Sequence, residues 1–340
     1  MRKLLNTLYV THPKSYLCKD GESVVVMIEQ QEKLRIPSHN IESIVMFNYM
    51  GCSPGLMRLA NEKGISLVFL SPQGRFISRL VGPQKGNVML RIKQYQLCEN
   101  ESWTLHLARL IIASKVRNSR MLLQRHLRDY GEQMEMRNIS VRLKAYQSKI
   151  WTVDSKDTLR GYEGQCSRLY FSVFDNLILN SDKQLKFEER SRRPPKNPIN
   201  AMLSFSYSLL VNDIIAALES VGLDAYYGVF HVLRPGRPSL ALDLLEEFRS
   251  YLCDRFILRL VNRQQISVKH FIIQDDQSVM LTDEGRRIFL SEWQTRKKET
   301  ITHPYIGESV ELGLLPYIQA QLLSRFIREE IDDYPPFISK

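Results

Sequence analysis

Residues 228–249 of this 340-residue chain read GVFHVLRPGRPSLALDLLEEFR and gather one histidine, three arginines and three carboxylates. Side chains three and four apart share a helix face, so Asp243, Glu246 and Glu247 can be presented together. His231 is delivered from the strand or loop before them. Carboxylate and imidazole donors gathered in this way can hold a divalent cation. Arg234 and Arg237 belong to an Arg-Pro-Gly-Arg-Pro segment that must turn, because two prolines and a glycine cannot continue a helix. Ser239 reads as the N-cap of the helix that follows, which starts near Leu240 and runs as far as Val261. Cations flanking a carboxylate cluster are what a phosphodiester substrate needs.

The chain that positions this unit changes character once. The first 80 or so residues read as strands, with Asp20-Gly21 as a hairpin turn and one helix that Ser53-Pro54 opens and Gly64 closes. The turn-forming run 82–87 marks a boundary, and helical periodicity dominates beyond it. The expected architecture is therefore α+β: a small β-rich N-terminal domain over residues 1–84 and a larger, mostly α-helical domain over 85–340. Helices are expected over 88–97, 103–130, 139–149, 158–179, 198–220 and 308–331, with Thr282 capping another. A hairpin falls near 268–281, and Pro335-Pro336 is expected to end the ordered chain. Glu163 lies beside the apolar stripe of the 158–179 helix, facing inward or towards a cleft. Taken alone, it reads as a glutamate at the edge of a core.

Hydrophobic residues make up 44% of the chain and charged residues 25%, which is ordinary for a globular protein. Five scattered cysteines without a CxxC pair argue against a disulfide framework or a zinc site and fit a reducing cytoplasm. No signal-peptide core is present, and the longest uncharged apolar stretch, 197–212, is too short and polar to span a bilayer. The formal charge of +10 favours an anionic partner. Cations also cluster: Lys115, Arg117, Arg120, Arg125 and Arg128 crowd one helical segment, and Arg190, Arg192, Arg193 and Lys196 form a Pro-flanked loop.

Four stretches, YEGQCSRLYF (162–171), NPINAMLSFSYSLL (197–210), GLDAYYGVFHVLRPGRPSLALDLLEEFR (222–249) and LTDEGRRIFL (281–290), carry a resemblance across essentially the full chain. Together they resemble the CRISPR-associated integrase of the adaptation module, the metal-dependent DNA endonuclease that inserts new spacers. The segments IPSHNIESIVMF, GISLVFLSPQGRFISRLVGPQKGNVMLR and GLLPYIQAQLLSRFIREEIDDYPPF look most like its subtype I-C version. The resemblance implies that Glu163, His231 and Glu246 are the catalytic metal ligands, for Mg²⁺ or Mn²⁺. It makes Asp243 an accompanying acid and leaves Glu247 as a helix-surface or supporting group. It also implies double-stranded DNA as substrate, a homodimer formed through the N-terminal region, and a small ferredoxin-like companion that joins two dimers. Phosphate contacts are expected from Arg234, Arg237, Arg249, Arg190, Arg192, Arg193 and Lys196. A non-catalytic nucleic-acid-binding protein or a helical scaffold is the alternative, with the Glu/His/Glu set then serving as a buried polar network.

Overall fold

The alternation of side chains in the strand Ser43–Met46 and the residue after it organises the N-terminal half. Ile44 and Met46 face one hydrophobic cluster, while Val45 and Phe47 face another. A computed structural model describes residues 6–339 apart from 49, 72–73, 75, 83–87, 181–184 and 193. The elements are, in order, β1 (Thr7–Val10), β2 (Ser15–Asp20), β3 (Ser23–Ile28), β4 (Gln31–Pro37), β5 (Ser43–Met46), α1 (Pro54–Lys63), β6 (Ser66–Leu70) and β7 (Phe76–Arg79). There follow α2 (Val88–Glu99), α3 (Glu101–Tyr130), α4 (Met134–Ile150), α5 (Lys156–Ser172), α6 (Pro198–Ser220), α7 (Ser239–Phe248) and α8 (Arg255–Asn262). The chain closes with β8 (Phe271–Ile273), β9 (Val279–Leu281), α9 (Asp283–Lys297), β10 (Thr300–Thr302), β11 (Ser309–Glu311) and α10 (Leu315–Ile327).

An N-terminal β-rich region thus precedes a mostly helical one, in agreement with the α+β expectation. One sheet has the order β1-β5-β6-β7, with β1, β5 and β6 parallel and β7 antiparallel; β2-β3-β4 form a separate antiparallel sheet. Parallel neighbours need a crossover connection, and α1 supplies it between β5 and β6. Ser53 Oγ accepts from Leu56 N at its start, and Gly64, at φ 69°, closes it in the left-handed conformation that glycine adopts without strain. Leu56, Leu59 and Ala60 of α1 pack with Ile44, Met46 and Leu67 and with Leu17, Val24 and Val26 of the second sheet. The opposite face carries Val45, Phe47, Val68 and Leu70 into the helical core. There Phe47 meets Phe205 of α6, with ring centroids 5.8 Å apart.

The 30-residue α3 runs through the helical region and packs on α4, α5 and α7. The one described helix long and apolar enough to cross a membrane, α6, is two-thirds buried within this core (67% of its most apolar window). Three boundary expectations need correction. The helix expected over 158–179 stops at Ser172, and Asp175–Leu177 form a short 3-10 turn that buries Leu177. The helix expected over 308–331 is shorter: β11 and a 3-10 turn come first, and Pro316 sits in the first turn of α10, where its missing N–H costs nothing. Nor do Pro335 and Pro336 end the ordered chain. Tyr334 and Phe337 are buried, 1% and 0% exposed, and fix the tail against α3 and α7.

Candidate metal centre

The element bearing the carboxylates, α7, begins one residue earlier than expected. Ser239 is its first residue and not its side-chain cap, the N-cap position falling on Pro238. After Phe248 the helix widens into a π-helical turn, Arg249–Asp254, before α8. Such turns interrupt the register of an otherwise regular helix and recur at functional sites. The preceding segment lies tight against the start of α7, since Leu240 N and Ala241 N both donate to Ala225 O. Gly228 permits this approach: a Cβ there would stand 2.5 Å from Asp243 Oδ2 and 2.6 Å from the Ser239 carbonyl carbon. Gln94 of α2 secures the same segment through Asp224 O (2.9 Å) and Tyr227 O (3.1 Å). Arg160 of α5 adds bonds to Phe230 O at 3.1 and 3.3 Å.

Asp243 is fully buried and engaged on both oxygens. Oδ2 accepts from Val229 N (2.7 Å) and Phe230 N (3.1 Å), and Oδ1 accepts from His231 N (2.9 Å). The same Oδ1 lies 2.6 Å from His231 Nδ1. A carboxylate oxygen accepts, so Nδ1 donates its proton to Asp243 and Nε2 is turned to the other side. That nitrogen faces Glu246, with Oε1 3.7 Å away.

Glu246 and Glu163 are brought to one place from α7 and α5, with Lys115 of α3 between them. The Lys115 ammonium forms a short ion pair with Glu163 Oε1 and lies 2.7 Å from Glu246 Oε2. Arg249 Nη2 contacts Glu246 Oε1 at 3.0 Å, and its guanidinium rests over the Tyr207 ring, 4.9 Å from the centroid. Burial opposes ionisation of Glu246, yet Arg249, Lys115 and His231 outweigh it and lower its pKa to about 2. Glu163 shifts downward as well: burial raises it, and Lys115 more than compensates. Burial pulls Lys115 down, but Glu246 and Glu163 carry it above the usual lysine value. The centre therefore brings two carboxylates, both shifted towards ionisation, together with an imidazole and a buried ammonium.

These donors suit a divalent cation. Glu246 Oε2 is buried, and its approach to Lys115 is an ion pair without hydrogen-bond alignment, so it retains unused acceptor capacity. As placed, no three His, Cys, Asp or Glu side chains among the described residues are close enough to share one ion. The Lys115 ammonium stands in the space between Glu163 and Glu246.

Glu247 behaves differently from the helix-surface expectation. It is fully buried, on the side of α7 turned to the C-terminal tail, and accepts from Tyr334 Oη (2.7 Å), Phe337 N (2.8 Å) and Gln319 Nε2 (3.1 Å). Burial, only partly offset by these donors, raises its pKa to about 7. Lys115 also departs from expectation, turning inward and away from any basic DNA-facing surface. Its place in the stripe of Ala108, Ile111 and Asn118, at spacings of three and four, was the available signal. Arg249 is likewise a partner of Glu246 and not a free phosphate contact.

Arg234 is exposed, and Arg237 is half-buried in a turn where Gly236 takes φ 72°. Arg190 is held by Asn200 Oδ1 (2.8 Å) and lies over the Tyr207 ring, which leaves its guanidinium partly committed. Arg192 and Lys196 are exposed, and Arg193 lies outside the described residues. Arg192 also borders a small cavity beside the centre, lined further by Lys115, Ser167, Tyr207 and Arg249. Beneath it Asp254, raised to about 6 by burial, accepts from Tyr207 Oη (2.7 Å) and Tyr170 Oη (2.9 Å). Tyr170 reads in the sequence only as part of the apolar stripe beside Glu163, and Asp254 carries no local signal for its contacts with Tyr170 and Tyr207.

Comparison with known proteins identifies the family. Residues 8–295 match the family model described as CRISPR associated protein Cas1. The CRISPR-associated endonuclease Cas1 1 of Chlorobaculum tepidum is 45% identical, over 99% of both chains. The CRISPR-associated endonuclease Cas1 2 of Rhodospirillum rubrum is also 45% identical, over the full length of both. A solved CAS1 protein from Thermotoga maritima superposes with a TM-score of 0.84 at 25% identity, covering 98% of this chain and 100% of that one.

Proposed function

Because the chain belongs to the CRISPR-associated Cas1 family, we propose that it is a metal-dependent DNA endonuclease and integrase that joins the 3′-hydroxyl ends of captured DNA to a CRISPR repeat. The observation that supports this reading is that Glu163 and Glu246 share the Lys115 ammonium while His231 Nε2 lies 3.7 Å from Glu246, three groups delivered by three separate segments. In that role Glu163, Glu246 and His231 would hold the ion, and Asp243 would fix the imidazole through its contact with Nδ1. A bound Mg²⁺ or Mn²⁺ supplies a Lewis acid for the phosphoryl oxygens and for the attacking oxygen. Because Mg²⁺ prefers oxygen ligands, the imidazole fits either Mn²⁺ as a direct donor or Mg²⁺ as a partner acting through a water.

Joining is a transesterification. The 3′-oxygen forms a bond to phosphorus, one existing P–O bond breaks, and the displaced strand keeps the departing oxygen as a hydroxyl. With water as nucleophile the same centre cleaves. No side-chain nucleophile is required, which fits a site built from ligands and cations. Arg234, Arg237, Arg192, Arg193 and Lys196 would fix the DNA through its phosphates without reading sequence, with Arg190 contributing from its place over Tyr207. Double-stranded DNA in the cytoplasm is the substrate on this account. The N- and C-terminal segments are the basis for reading it as subtype I-C, and the family resemblance is the basis for a division near residue 84, a dimer formed through the N-terminal domain and a ferredoxin-like companion.

The Lys115 bridge also favours a second reading, in which the acidic set is only a buried polar network within a DNA-binding scaffold. One assay separates the two. Joining of an end-labelled duplex to a repeat-containing target is expected to cease with EDTA and in Glu163→Ala or His231→Ala, while DNA affinity stays within a few-fold of wild type. Joining that survives both chelation and substitution sinks the metal assignment.

A further inference from the structure

A buried ammonium between two carboxylates needs an explanation that a metal-ligand role for those carboxylates does not supply. Lys115 is only 11% exposed at its side chain and Glu246 only 4%. Burying these charges costs free energy unless they are paired, and Lys115 is the group that pairs with both Glu163 and Glu246. His231 approaches from one side, at 3.7 Å, and Arg249 holds the remaining oxygen of Glu246 at 3.0 Å. A divalent ion reaching for Glu163 and Glu246 therefore meets a positive group already in position. Two cations a few ångströms apart in a partly desolvated site repel strongly.

We propose that Lys115 is the resident counter-cation of the metal centre: its ammonium holds Glu163 and Glu246 together before the ion binds, and the ion must displace it. Lys115 is thus a positioning residue that sets the metal affinity of the site and keeps the carboxylates from repelling each other while no ion is bound. It has no assigned role in DNA contact, for which its place in the sequence had recommended it. This inference rests on the metal reading of the preceding subsection.

The test is calorimetric titration of the full chain with Mn²⁺, comparing wild type with Lys115→Met. Removing the ammonium leaves the ion the only cation between the carboxylates, so Kd for Mn²⁺ is expected to fall by about tenfold or more. The metal-free variant should melt lower than wild type and recover more than wild type on adding Mn²⁺. Lys115→Arg, which keeps the charge, should bind Mn²⁺ no more tightly than wild type. Equal or weaker Mn²⁺ binding by Lys115→Met overturns the inference alone, whereas absence of binding in both proteins overturns the metal reading and the inference with it. Should Lys115→Met fail to fold, wild type serves: acetylation of Lys115, followed by mass spectrometry, is expected to rise severalfold at saturating Mn²⁺. Unchanged labelling while Mn²⁺ binds overturns the proposal.

Discussion

His231 shows how a single side chain acquires its chemistry from its neighbours. Its Nδ1 is fixed by Asp243, whose oxygens also hold three successive backbone N–H groups, those of Val229, Phe230 and His231. An asparagine at 243 would turn an amide N–H₂ towards donors and leave at least one of them without an acceptor. Asp243→Asn is therefore expected to lower stability by about 2–4 kcal/mol, as loss of a buried charged acceptor does. It should also cut the joining rate by about 10–100-fold at saturating Mn²⁺, since groups that orient metal ligands carry effects of that size. Urea denaturation and single-turnover joining, run well below the melting temperature, check both; a variant equal to wild type in the two would contradict the role. At this scale the candidate residues were legible in the sequence, and their partners were not. Nothing in the local spacing of Asp243 tells that its oxygens fold back on residues 229–231, and Lys115 reads equally well as a surface cation until the opposite face of α3 is known to meet α5 and α7.

The segment from α7 through the π-turn to α8 divides its carboxylates between two environments. Glu246 faces cations and is ionised, whereas its neighbour Glu247 faces the C-terminal tail and its pKa is raised to about 7. The folded protein therefore binds the Glu247 proton more tightly than the unfolded chain, whose value is near 4.5. Its contribution to stability is fully present below about pH 4.5 and is lost as the pH rises through 7, a change of up to about 3 kcal/mol. Denaturation profiles between pH 5 and 8 should accordingly fall more steeply for wild type than for Glu247→Gln, with the buried Asp254 adding the same trend to both. Parallel profiles would contradict the assignment. The helix itself was readable from its apolar period, but two of its features were not. A π-turn has no signature in residue type, and the tail's role depends on Tyr334 and Phe337 returning across more than 80 residues to meet Glu247. Two adjacent prolines read more simply as a stop.

At the scale of the whole molecule, the change from strand period to helix period anticipated a β-rich region followed by a mostly helical one, while most of the 82–87 run read as the boundary lies outside the described residues. The run of apolar residues Ile44 to Phe47 also marks a strand buried on both faces, though it cannot name the elements that cover each face. The structure shows one face taken by α1 with the β2-β3-β4 sheet and the other by the helical core. The net charge is +10, and Arg192, Lys196 and Arg234 are exposed, with Arg192 bordering the cavity beside the centre. DNA affinity should fall linearly with salt on a log–log plot, and the pair Arg192→Ala and Lys196→Ala should reduce the slope by about 1–2, equally for all sequences. Filter binding at several salt concentrations measures it, and an unchanged slope would remove these two residues from the DNA surface.

The central claim is that one divalent ion sits among Glu163, His231 and Glu246. An anomalous difference map from crystals grown with Mn²⁺ examines it without recourse to activity. The expected result is a peak within coordination distance of both carboxylates and His231 Nε2, with the Lys115 ammonium moved from between them. A map with no peak there, and Lys115 still bridging Glu163 and Glu246 at saturating Mn²⁺, would contradict the account.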